Sequence, residues 1–95
     1  MNIKGGFKMI YKELVITNDD GLKAKAAACF VQVANQFDSQ ILIEFSNKKI
    51  NAKSIMGLLS LGVKKGESIY VFANGSDEKD SVEALAELVE NGFGE

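Results

Sequence analysis

Gln40 to Ala52 reads QILIEFSNKKINA. Apolar and β-branched residues fill QILIEF and KKINA, and Ser-Asn-Lys stands between them. The stretch is read as two short strands around a hairpin turn. What flanks the hairpin then decides the fold. Upstream, MIYKELVIT (9–17) alternates through Ile10, Lys12, Leu14 and Ile16 and breaks at NDDG (18–21), a strand ending in a turn. Between 24 and 37, apolar residues recur at Ala27, Phe30, Val31, Ala34 and Phe37, the spacing of a helix with one buried face. Downstream, SIMGLLSLG (54–62) is a short helix with Ser54 where an N-cap should stand. ESIYVFANG (67–75) is a further strand, closed by Gly75. DEKDSVEALAELVENG (77–92) is a helix with Asp77 as N-cap, an acidic first turn and Gly92 as C-cap. Its inner stripe is Val82, Leu85, Leu88 and Val89. The order β-α-β-β-α-β-α predicts an α+β fold, an open-faced β-sandwich whose four-stranded antiparallel sheet carries three helices on one face.

Composition narrows the function classes. A chain of 95 residues, 46% hydrophobic and 25% charged, suits one small globular domain. A formal charge of −2 disfavours direct nucleic-acid binding, which needs a basic face. No apolar run approaches membrane-spanning length, and the N-terminus lacks the apolar core of a signal peptide. The single cysteine, Cys29, has no partner for an internal disulfide, so the expected compartment is the cytoplasm. There is no histidine, which excludes histidine acid–base catalysis, histidine metal ligation and phosphohistidine chemistry. The chain is expected to be no enzyme, with no catalytic residues, metal or cofactor. Residues 1–8, MNIKGGFK, lack periodicity; they are expected to be an extension outside the fold, with Met9 the natural start and the domain running over 9–95.

Two features resist a purely structural reading. In the helix after Ser54, apolar residues Ile55, Met56, Leu58, Leu59 and Leu61 occupy nearly every side. Either part of this set is exposed as a partner surface, or Ile55, Met56 and Leu59 lie beneath another helix. The second feature is Lys23 and Lys25 at the start of the helix over 24–37. Cations there oppose the helix dipole by about 0.3–1 kcal/mol when exposed.

The segment NAKSIMGLLSLG (51–62) closely matches the regulatory-serine segment of Gram-positive-type members of the HPr family, the small phosphocarriers of the bacterial sugar phosphotransferase system. ITNDDGLKAKAA (16–27) resembles the family's active-site segment, usually Asn-x-x-Gly-Leu-His-Ala-Arg-Pro-Ala, and FVQVANQFDS (30–39) and ENGFGE (90–95) fit as well. The resemblance runs from Met9 to Glu95. It departs where the chemistry should be: Lys23 occupies the phosphohistidine position, Lys25 the arginine and Ala26 the proline. A lysine is mostly protonated at neutral pH and is no nucleophile there. It also lacks arginine's planar fork.

The resemblance implies a histidine-lacking regulatory member of the catabolite-repression HPr-like type. Ser54 would be phosphorylated by the bifunctional HPr kinase/phosphorylase, and the phosphoprotein would dock on a catabolite control protein A-type regulator. The docking surface carried over from the family is Lys23, Ala24, Lys25, Ala28, Ile55, Met56 and Leu59. The alternative is an unmodified HPr-like binding module that inhibits or adapts an enzyme partner, with Ser54 an ordinary cap. Phosphotransfer through another residue is disfavoured, because Asp19 and Asp20 read as turn formers and Cys29 lies within the helix. Lys23 is either a contact for a partner's carboxylate or a solvated residue with no role.

Overall fold

In the computed structural model, which describes residues 9–94, the hairpin over Gln40–Asn51 forms two antiparallel strands, β2 (Gln40–Phe45) and β3 (Lys48–Asn51). The turn is tighter than Ser-Asn-Lys: Ser46 and Asn47 alone make it, at φ 54° and 65°. Two consecutive left-handed residues match the twist of the strands they join. Around the hairpin lie β1 (Ile10–Val15), α1 (Ala24–Ala34), α2 (Ile55–Leu61), β4 (Ser68–Asn74) and α3 (Glu78–Glu90), followed by a short turn over Gly92–Gly94. The strands form one antiparallel sheet in the order β1-β4-β2-β3, as the period-two reading predicts.

Register sets the two faces of the sheet. Leu14 pairs with Ile69, and Ile43 with Val71 on one side and Ile50 on the other; these residues point toward the helices. Phe30 from α1, Leu58 from α2, and Leu85 and Val89 from α3 close the core with no exposure. Lys12 falls on the inward row of β1, the edge strand, and its ammonium reaches Glu90 of α3 at 3.6 Å. The other face is open. Tyr11, Tyr70 and Phe72 cluster on it at centroid separations of 5.5–6.4 Å, with Lys49 over the Phe72 ring at 5.0 Å.

Four local expectations are corrected. α1 ends at Ala34, not Phe37, because the Asn35 side-chain amide donates to the Val31 carbonyl and Gln36 and Phe37 fold back by three-residue bonds to Val33 and Ala34. Val31 and Phe37, and Leu88 on α3, are only half-buried, while Ala26 joins the buried stripe of α1. Asp77 stands at the N-cap of α3 but does not cap it. Its carboxylate instead accepts from the Asp38 and Ser39 N–H groups at 2.9 Å and from the Ser39 hydroxyl at 2.5 Å. Those bonds, the Ser39 hydroxyl foremost and then the Asp38 N–H, hold the Asp77 carboxyl below its ordinary pKa. At the other end of α3 the cap is Asn91, with Gly92 one residue beyond it. The expected extension over residues 1–8 lies outside the described residues.

Candidate functional site

The loop Asn18–Leu22 is a turn closed by the Gly21 N–H to the Asn18 carbonyl at 3.1 Å and by the Asn18 side-chain amide to the Gly21 carbonyl at 2.8 Å. Asp19 and Asp20 are the central residues of this turn, as read from the sequence. Gly21 sits at φ 67°, and a Cβ there would lie 2.4 Å from the Val63 carbonyl oxygen. That close approach lets the Leu22 N–H donate to the same carbonyl at 3.0 Å. The β1–α1 loop is thereby fastened to the α2–β4 loop. Asp19 adds an ion pair to Lys65 at 2.8 Å, which holds the Asp19 carboxyl below, and the Lys65 ammonium above, its ordinary pKa.

Lys23 follows as the N-cap residue of α1, in extended conformation, with no side-chain capping bond and no acidic residue in the first turn. Lys23, Ala24, Lys25 and Ala28 are exposed, and Ala26 is buried beneath them. Ala26 thus packs inward at the helix start, 2% exposed. The described side chains around Lys23 offer no histidine, and no group of three metal-ligating side chains occurs among the described residues.

The second half of the site is α2. Asn51 prepares its entry: its side-chain oxygen accepts from the Lys53 N–H at 2.8 Å and its carbonyl from the Ser54 N–H at 3.1 Å. Ser54 is the N-cap, in extended backbone conformation, and its hydroxyl oxygen accepts from the Gly57 N–H at 3.1 Å. The ambiguity of the apolar helix is decided by packing. Leu58 and Leu61 are buried in the core, while Ile55, Met56 and Leu59 are 39%, 73% and 40% exposed. The three do not lie beneath another helix.

The two halves meet. α1 packs on α2, and Lys23 and Leu59 line one cavity. No hydrogen bond or ion pair among the described residues links the Lys23 or Lys25 side chain to α2. Sequence reasoning missed Lys53. Its ammonium donates to the Phe37 carbonyl at 2.6 Å, tying the residue before Ser54 to the turn after α1. Its position beside a cap gave no signal, because the acceptor is remote in the chain.

The family profile described as PTS HPr component phosphorylation site matches residues 10–91. The HPr-like protein Crh of Halalkalibacterium halodurans is 46% identical over 82 residues, covering 86% of this chain and 98% of that protein. Among solved structures, HPr-C-His from Thermoanaerobacter tengcongensis superposes with a TM-score of 0.88 at 49% identity, covering 90% of this chain and 97% of that one. The catabolite repression protein Crh of Bacillus subtilis, a swapped dimer in its crystal, gives 0.71 at 47% identity over 78% and 85% of the two chains.

Proposed function

Since the chain belongs to the HPr family, we propose that it is a regulatory member which has lost phosphotransfer at its active-site loop and acts through phosphorylation of Ser54. HPr-family proteins are phosphocarriers and regulators, and likeness to Crh points to kinase and regulator partners in general. Here the phosphorylating enzyme is an HPr kinase/phosphorylase, and the phosphoprotein docks on a catabolite control protein A-type regulator. The observation that carries this reading is the setting of Ser54, a helix-cap hydroxyl next to the exposed side chains of Ile55 and Met56, with Leu59 one turn on.

The chemistry follows from that setting. Phosphorylation adds about −1.5 to −2 charges and three acceptor oxygens. At a helix N-terminus this charge lies against partial positive charge and unpaired N–H groups, so the fold tolerates it. What changes is the surface, where a dianion now borders an apolar patch. A regulator with an arginine beside an apolar pocket reads both together, by charge-assisted hydrogen bonds and by burial. On the other segment, Lys23 has neither the nucleophilicity nor the leaving-group chemistry of an imidazole. Lys23, Ala24, Lys25 and Ala28 serve as contact surface.

The test is a titration of the regulator with three samples: unmodified protein, phosphoprotein, and Ser54→Ala protein exposed to kinase and ATP–magnesium. Tight binding by the phosphoprotein alone is expected. Equal binding by all three would reject the switch and assign Ser54 to capping within an unmodified binding module.

A further inference from the structure

A groove of about 430 Å³ opens between α1 and α3, within the roughly 300–1,000 Å³ of ordinary ligand pockets. Val33 of α1 and Ala84 and Leu88 of α3 supply its apolar walls, over the buried Phe93. All three wall residues are left half-buried by the packing of the monomer. Ala84 and Leu88 stand one helical turn apart and form a row along α3. The charge around this groove has one sign. Asp80, Glu83 and Glu87 follow one another at three- and four-residue spacing on the exposed side of α3, and Glu87 lines the groove. Glu90 is paired with Lys12 at 3.6 Å, but Asp80, Glu83 and Glu87 have no ion-pair partner among the described residues. Asn91, the C-cap of α3, lines the same groove, and the last turn of α3 holds no basic residue. The negative end of the helix dipole therefore adds to the carboxylates. The opposite wall offers no compensation, since the chain from Ala26 to Phe37 carries no charged residue. The Lys53 ammonium is held by the Phe37 carbonyl at 2.6 Å, and neither Lys53 nor Lys79 lines the groove.

We propose that this groove receives a basic amphipathic helix of a partner protein. Apolar side chains at one-turn spacing enter between Val33 and the Ala84–Leu88 row, as a third helix fits the groove between two others. Lysines or arginines beside them lie along the ridge of Asp80, Glu83 and Glu87. Charge selects the occupant, because an acidic helix would set like charges against that ridge. The groove shares no residue with the surface assigned to the Ser54-dependent regulator, so either reading can fail without the other.

The experiment is an amide-resolved NMR titration of the unphosphorylated full chain at fixed ionic strength. The probes are a blocked leucine–lysine peptide with helical apolar spacing, the same peptide with glutamate for every lysine, and a scrambled leucine–lysine peptide of equal composition. The amphipathic basic peptide is expected to give saturable shifts clustered on Val33, Ala84, Glu87, Leu88 and Asn91, and to bind more tightly than the other two. The double variant Glu83→Gln/Glu87→Gln, at exposed positions, is expected to weaken it about fivefold, the size of two exposed ion pairs. Ala84→Gln, which puts a longer polar side chain into the groove on a good helix former, is expected to weaken it about tenfold. Melting curves would verify that the variants remain folded. Shifts that fail to saturate, that centre on Ile55, Met56 and Leu59, or that persist unchanged in the glutamine double variant would overturn the site. Equal binding of the glutamate peptide would overturn the charge requirement, and equal binding of the scrambled peptide the fit of a helix. Shifts at the same residues on concentrating the protein alone would give the groove to a second copy and overturn the partner helix.

Discussion

Replacing Ser54 by alanine separates two roles that share one oxygen. The hydroxyl accepts a single hydrogen bond, from the Gly57 N–H at 3.1 Å, and it caps a helix of only seven residues. Removing a serine N-cap costs about 0.5–2 kcal/mol, typically ~1. α2 is anchored by Leu58 and Leu61, so the helix should survive and the loss should stay near the typical figure. For a domain of this size about 1 kcal/mol lowers Tm by roughly 4–8 °C. Ser54→Asp keeps an acceptor at the same position and adds negative charge at the helix start, so its melting temperature should remain close to wild type. The phosphoprotein should behave like the aspartate variant, since a phosphoryl oxygen can take over the Gly57 N–H. Calorimetric melts of wild type, Ser54→Ala, Ser54→Asp and phosphoprotein in one buffer make the comparison. Two results would refute the reasoning: an alanine variant as stable as wild type, or a phosphoprotein less stable than the alanine variant. The second would mean that modification works by disrupting α2, not by altering its surface.

Other outcomes follow from the same geometry. Leu58→Ala should destabilise the fold by about 2–5 kcal/mol while Leu59→Ala stays within about 0.5 kcal/mol, by urea denaturation; similar losses would contradict the division of α2 into a buried and an exposed side. Met56→Asp should leave the melting curve near wild type and weaken regulator binding by the phosphoprotein; unfolding instead would return Met56 to the core. The Asp77 carboxyl is held below its ordinary pKa by the Ser39 and Asp38 donors, so its contribution is present above roughly pH 4, the unfolded carboxylate value, and is lost as pH falls through the lower folded value. The stability gap between wild type and Asp77→Asn should therefore be widest near neutrality and shrink in acid; a pH-independent gap would show that the charge is irrelevant. Enzyme I with phosphoenolpyruvate should transfer no phosphate to the protein, and Lys25→Arg should improve the activity gained by Lys23→His, as scored by phosphorylated mass; equal activity of single and double variants would show that the guanidinium is overrated.

Much of the fold was legible because periodicity is a local property of the chain. Alternation through Ile10, Leu14 and Ile16, the apolar spacing on α1 and α3, and the hairpin between Phe45 and Lys48 each specify an element and the face it buries. The Ser54 cap was equally legible, since its partner is the Gly57 N–H of the same turn. The lack of histidine is a matter of composition and needed no coordinates. What the chain alone left open were choices between partners remote in sequence. A helix that is apolar all round has no preferred side, and only the core beneath it determined that Leu58 and Leu61 are buried while Ile55, Met56 and Leu59 face solvent. Asp77 read as a local cap, but the turn after α1 presents three donors to its carboxylate, and three bonds outweigh one. Lys53 found its acceptor on Phe37, and Lys23 and Leu59 came to border one cavity, because α1 packs against α2. Local spacing determines which residues can share a face; close packing of distant segments determines which of those faces meets another, and which is left for a partner.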